Sequence, residues 1–210
     1  KHFSSHSFVK NYISCSELVD EASKKILSES RIFDDCRIYF LREMRNSFSI
    51  LHLNLTNGEC RTEIEIQDCG FYHTTSSIGK NIYFFGESSK EYLQSYLRVF
   101  DCENCSWSTV SKIPENRSHM KMVALNGLLF FSGGFQEVPD GPTRVKCTKI
   151  SDFFQYSPHT NTWTDVKPMN QARWAHELVA LNNQIYAIGG FSNSTVERYD
   201  PSTDEWRFLA

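Results

Sequence analysis

The segment VALNGLLFFSGGF, Val123 to Phe135, lies without a gap over VALNNQIYAIGGF, Val179 to Phe191. Self-similarity at a fixed period, here the 56 residues from Gly133 to Gly189, marks an architecture that stacks one supersecondary unit many times. A weaker copy, SSIGKNIYFFGES from Ser76 to Ser88, puts Gly86 in the column of Gly133 and Glu87 in place of the second glycine. In IYFLRE, Ile38 to Glu43, both glycines are lost. The copies decay toward the start of the chain.

A second shared element follows each run: LRVFDCENCSW ending at Trp107, FFQYSPHTNTW ending at Trp163 and VERYDPSTDEW ending at Trp206. In each, an aromatic (Phe100, Tyr156, Tyr199) precedes a turn-forming Asp or Ser (Asp101, Ser157, Asp200). Pro158 and Pro201 then preset φ for a tight turn in two of the three. Four strands per unit is the natural parse. ILHLNLTNGEC fits with losses, setting Leu53 in the aromatic column, Asn54 in the turn column and Cys60 where tryptophan belongs. Without that large apolar side chain, this unit is expected to be the least well anchored.

The order arginine, apolar strand, GG, variable loop, aromatic-Asp turn and Trp resembles the kelch repeat of β-propellers, whose units of about 50 residues form four-stranded blades. The resemblance implies a mainly β fold: a partial kelch propeller of about four blades of antiparallel sheet, at about residues 37–68, 70–113, 116–168 and 172–210. By analogy with kelch blades, the glycine pair, Gly133 with Gly134 and Gly189 with Gly190, closes the second strand where backbones crowd near the axis and leaves no room for a Cβ; Gly86 is the structural repeat glycine of the same column. Phe100, Trp107, Tyr156, Trp163, Tyr199 and Trp206 are the structural repeat aromatics. IYFLRE aligns with a second strand and no first-strand copy precedes it, so the propeller is expected to be incomplete.

Residues 1–36 follow a different rule and read as a short α-helical segment. Ser14 with Glu17 three residues on is a capping box, and Leu18, Ala22 and Ile26 recur on one helical face. ELVDEASKKIL, Glu17 to Leu27, resembles the last helix of the BACK domain, which in many kelch proteins sits between a BTB domain and the propeller.

The formal net charge of −3 offers no basic field for nucleic acid or an anionic membrane surface. No stretch approaches the roughly 20 apolar residues of a membrane span. The opening KHFSSHSFVK lacks the apolar core of a signal peptide. The 7 cysteines, an odd number at irregular spacing, indicate a reducing compartment, and a cytoplasmic location is expected. Cys102 and Cys105 form a C-x-x-C in the Pro and Asn/Asp slots of the repeated turn, where they read as turn residues; no second pair completes a zinc site. His73 and His176 share a column, which assigns them packing or hydrogen-bonding. No Ser/His/Asp context, phosphate loop or paired carboxylates occur, and the constellation of the kelch-like copper radical oxidases is not assembled. Neither catalysis nor a metal or cofactor is expected.

Binding remains, and binding residues concentrate on loops of a rigid scaffold. The loops after the glycine pair are SSKEYLQS, QEVPDGPTRVKCTKIS (Gln136 to Ser151) and SNST, which carries Asn193. The second mixes Asp140 with Arg144, Lys146 and Lys149; loops of this length are often functional, and a tolerated insertion reads equally well. The loops leading into new blades, IPENRSH and MNQARWAH, place Arg117 and Arg173 in one column, beside Asn116 and Trp174. A guanidinium fork binds carboxylates bidentately. Two such arginines on one rim fit an acidic peptide segment; they fit a bridge between adjacent blades as well. Trp174 suits either a binding hot spot or packing between blades. By resemblance, the chain is the substrate-recognition propeller of a cullin-3 ubiquitin ligase adaptor, reaching cullin-3 through an upstream BTB domain and holding a protein target on the rim. The alternative is a non-ligase scaffold such as an actin-associated kelch protein.

Overall fold

The computed structural model describes residues 37–44, 47–54, 60–67, 74–87, 95–112, 117–139 and 145–209. The helical segment expected over residues 1–36 lies outside them. The chain divides into two compact units, Lys1–Gln67 and Asp68–Ala210.

In the first unit β1 (Arg37–Met44), β2 (Ser47–Asn54) and β3 (Cys60–Gln67) form an antiparallel sheet in that order. These are the three strands for which the sequence holds copies. Leu53 and Cys60, in the aromatic and tryptophan columns, are register partners.

The second unit contains three four-stranded antiparallel sheets. The first is β4 (Thr74–Ile78), β5 (Asn81–Glu87), β6 (Ser95–Asp101) and β7 (Ser106–Lys112). The second joins β8 (Lys121–Leu125), β9 (Leu128–Ser132), β12 (Phe153–Ser157) and β13 (Thr162–Val166). The third is β14 (Glu177–Leu181), β15 (Gln184–Ile188), β16 (Val196–Asp200) and β17 (Glu205–Leu209). Between β9 and β12 the long loop folds into a separate two-stranded ribbon, β10 (Phe135–Pro139) and β11 (Val145–Lys149).

The repeat aromatics explain this pairing. Phe100 faces Trp107, Tyr156 faces Trp163 and Tyr199 faces Trp206 across the third and fourth strands. Phe100, Tyr156 and Tyr199 are buried. Burial of such rings, each covering roughly 150–250 Å², dominates the core. The packing runs between sheets: Phe85 meets Phe131 edge-on at 6.0 Å, and Phe153 meets Trp206 at 4.9 Å. Indole N–H groups add sequence-matched ties, Trp163 Nε1 donating to Ser111 Oγ at 3.0 Å and Trp206 Nε1 to the Lys167 carbonyl at 2.9 Å. Val123, Leu125 and Val166 pack against the apolar cluster that Phe130 and Phe153 share with Leu178, Ile185, Ala187, Tyr199 and Trp206 of the β14–β17 sheet. Their counterparts on that sheet, Val179, Leu181 and Leu209, are exposed.

The glycine pair behaves differently in its three copies. Gly133 and Gly134 have φ of +62° and +92°. A Cβ on Gly133 would overlap the Arg173 carbonyl oxygen and stand 2.9 Å from His176 Cε1, both on the segment that leads into β14. Crowding does exclude a side chain there. At Gly189, φ +64°, the nearest atom to such a Cβ is 3.6 Å away. Gly86 differs from the pairs: with Glu87 in place of the second glycine, β5 runs on through it, and Gly86 pairs with Tyr96.

His176 performs the bonding role read from its column, its Nε2 lying 2.7 Å from Ser132 Oγ across the two sheets, with both residues buried. Burial, and then the charges of Arg173 and Lys121, lower its pKa from 6.5 to about 3. Because the folded value is depressed, the unfolded chain binds more protons between those values. This contribution to stability is complete above pH 6.5 and is lost as pH falls toward 3, at up to about 1.4 kcal/mol per pH unit. Thermal unfolding midpoints measured from pH 7 to 4 should fall more steeply for the parent than for His176→Gln; parallel curves would remove His176 from the acid response.

Candidate partner-binding face

Arg173 is 1% exposed. Its Nε and Nη2 donate to Glu197 Oε1 at 3.2 and 2.9 Å, and its Nη1 to the carbonyls of Gly189 at 2.7 Å and Thr195 at 2.8 Å. Nη2 also donates to Thr195 Oγ1 at 2.6 Å. Every guanidinium N–H thus has an acceptor. Glu197, at 0% exposure, also accepts the backbone N–H groups of Asn170 and Gln171.

The rim reading of Arg173 is therefore corrected: no donor is left for an outside carboxylate. Nor does the side chain bridge sheets; its backbone does, the carbonyl accepting from Gly134 N at 2.8 Å. Arg117 is likewise buried, its Nη2 lying 2.6 Å from Asp152 Oδ2. Aligned on Trp163 and Trp206, Asp152 matches Thr195 and Phe154 matches Glu197. The acid has moved two residues along the chain and still meets its arginine. Arg117 and Asp152 also line a cavity of about 300 Å³ with Trp163 and Asp165.

The residues just after these anchors form an aromatic ledge. Trp174 follows Arg173, while Phe135 and Phe191 follow Gly134 and Gly190. Phe191 N–H donates to the Trp174 carbonyl at 2.9 Å, and the two rings lie 4.6 Å apart. Phe135 and His119 meet Trp174 edge-on at 5.4 and 5.1 Å. Trp174 is half-buried, whereas Phe191 is 58% exposed. Burial lowers the His119 pKa, so its ring is neutral near pH 7.

The β10–β11 ribbon closes one side. Lys149 Nζ donates to the Phe191 carbonyl at 2.9 Å and lies 5.9 Å from its ring centroid, a weak cation–π geometry. Lys146 is exposed on the same strand. Asn193 is half-buried, its Oδ1 accepting from Thr195 N–H at 2.9 Å, which shapes the loop beside the ledge. Asn116, Asp140 and Arg144 lie outside the described residues. Trp174, Lys146 and Asn193 are the predicted rim residues that stand beside the ledge or on its ribbon. Lys149, named with Lys146 on the long loop, stands there too; Phe135, Phe191 and His119 were not among the predicted residues, although the phenylalanine closing GGF in both copies was the signal available.

The ledge is thus an exposed ring backed by a tryptophan, with Lys149 against it. The sheets are β-propeller blades carrying a loop face. Residues 42–190 match the family described as the KLHDC2/KLHL20/DRC7 Kelch-repeats domain, and residues 175–210 match the Kelch motif. The chain belongs to the kelch-repeat family and is a protein-interaction module of the propeller class.

It is similar to mouse Kelch-like protein 35, 33% identical over 51% of this chain and 18% of that protein. Mouse Kelch domain-containing protein 7A is 38% identical over 53% of this chain and 14% of its own length. Zebrafish Kelch repeat and BTB domain-containing protein 12 is 25% identical over 64% of this chain and 24% of its own. The chain thus spans less than a quarter of each relative. A solved structure of YjhT shares the fold, with TM-score 0.54 and 16% identity over 68% of this chain and 52% of that one.

Proposed function

We propose that this chain is the substrate-recognition part of a cytoplasmic BTB-BACK-kelch adaptor, which holds a protein target for a cullin-3 ubiquitin ligase recruited through a BTB domain. Catalysis then belongs to the partner enzymes. The observation that carries the recognition role is the Trp174–Phe191 ledge, an aromatic surface fixed from beneath by a buried arginine and a glycine pair. Lys146 and Lys149 take over the acidic-segment preference first assigned to the arginines. The BTB domain named in the zebrafish relative supports the adaptor setting.

The test is to express the chain within its complete open reading frame and precipitate cullin-3. The parent is expected to retain cullin-3 and the target. Phe191→Ala and Trp174→Ala should keep cullin-3 while weakening the target about 30-fold, the effect of a hot-spot residue of about 2 kcal/mol. A parent that retains no cullin-3 would end the ligase reading in favour of a scaffold. Variants that hold the target as tightly as the parent would end the ledge reading.

A further inference from the structure

The turn between β6 and β7 departs from its two counterparts in a correlated way. In those, Asn161 and Asp204 adopt φ of 54° and 52°, and each folds a side-chain oxygen back to accept the hydroxyl of the tyrosine five residues earlier, Tyr156 or Tyr199, at 2.8 Å. The β6–β7 turn has Cys105 in that column, at φ 49°, and Phe100 in place of the tyrosine. With no hydroxyl to satisfy, the acceptor oxygen is dispensable. The proline column, Pro158 and Pro201 elsewhere, holds Cys102. Both exchanges are to cysteine, and both are thiols.

Asp101 pairs with Ser106, so residues 102–105 form the whole loop. Asp101 and Ser106 are antiparallel register partners, whose Cα atoms stand about 4.5–5.5 Å apart in such pairs; Cys102 and Cys105 are the next residue on either side, and a disulfide spans Cα separations of about 4.4–6.8 Å. In the Cys105 column of the other two turns, the side chain turns back to the hydroxyl end of the repeat tyrosine, toward the loop interior. Cys102 is the first residue of the loop, directly after the last pair of β6, and Cys105 is the last, directly before β7. Cys105 is exposed and Cys102 half-buried. Asp101 Oδ1 fixes the loop by accepting the N–H groups of Glu103 and Asn104 at 2.8 and 3.2 Å.

We propose that Cys102 and Cys105 are an oxidation-sensitive dithiol, closed to an intra-turn disulfide by hydrogen peroxide. The Cys105 thiolate attacks one peroxide oxygen and the O–O bond breaks, leaving a sulfenic acid and hydroxide, which takes a proton to become water. The Cys102 thiolate displaces the sulfenic hydroxyl as a second water while the S–S bond forms. Two thiols are oxidised and one peroxide is reduced to two waters. Exposed disulfides are the readily reduced ones, so the mark is reversible in a reducing compartment.

The test treats the chain with hydrogen peroxide, blocks remaining thiols with iodoacetamide and maps the peptide holding both cysteines by mass spectrometry. The expected peptide carries no alkyl group and is two hydrogens lighter, and dithiothreitol restores both alkylation sites. Cys102→Ser should leave Cys105 oxidised without a bond within the peptide. Cys147, exposed on β11, is the reference thiol and should keep its alkylation. Full alkylation of Cys102 and Cys105 after peroxide overturns the proposal. So does over-oxidation of one thiol beside an alkylated partner, or a bond from either to Cys147.

Discussion

Arg173→Ala is expected to lower the unfolding free energy by about 3–5 kcal/mol, because it leaves the Glu197 carboxylate buried without its cation. Arg117→Ala should cost less, roughly 1–2 kcal/mol, since Asp152 is half exposed and can take up water. Arg173→Lys should recover little, because one ammonium cannot reproduce a fork that reaches Glu197, Thr195 and Gly189 together. Arg173→Met with Glu197→Leu should recover only part of the loss: it removes both charges, but it also takes away the acceptor of the Asn170 and Gln171 N–H groups and the donor to the Gly189 and Thr195 carbonyls. Thermal unfolding followed by tryptophan fluorescence checks the series. If Arg173→Ala unfolded like the parent yet lost partner binding, the buried-anchor assignment would be wrong.

Alanine at Gly133 and at Gly189 separates backbone strain from crowding. Both glycines have left-handed φ, so each substitution carries about 1–2 kcal/mol of conformational strain. At Gly133 the new methyl also collides with the Arg173 carbonyl and His176, adding about 1–3 kcal/mol of overpacking; at Gly189 it meets nothing closer than 3.6 Å. Gly133→Ala should therefore unfold well below Gly189→Ala. Equal midpoints would mean that the two sheets are not held together at this point.

The repeat was legible because its signals are local. Strand runs, the aromatic-Asp turn and the tryptophan column are set by residue type and spacing, and the sheets use them as read. The Arg117 and Arg173 column was legible too, but its placement was not. Charge argues for a surface, and only the three-dimensional return of Glu197 on β16 and of Asp152 ahead of β12 turns each arginine inward. Gly86 shows the converse, since a shared column did not guarantee a shared conformation once Glu87 replaced its neighbour. The ledge was not legible because the GGF spacing does not say which way Phe135 and Phe191 face, and the fold of the long loop into a ribbon that brings Lys149 to Phe191 has no sequence period.

The central claim is that partners meet the loop face at Phe191. It is tested most directly by placing a photo-crosslinking phenylalanine at position 191 or at position 181, within the complete open reading frame. Both sites are exposed, at 58% and 56%, but Leu181 occupies the column that packs against a neighbouring sheet elsewhere. The account predicts that the target cross-links from position 191 and not from 181, and that Trp174→Ala abolishes the product. Cross-linking from 181 alone, untouched by Trp174→Ala, would contradict it.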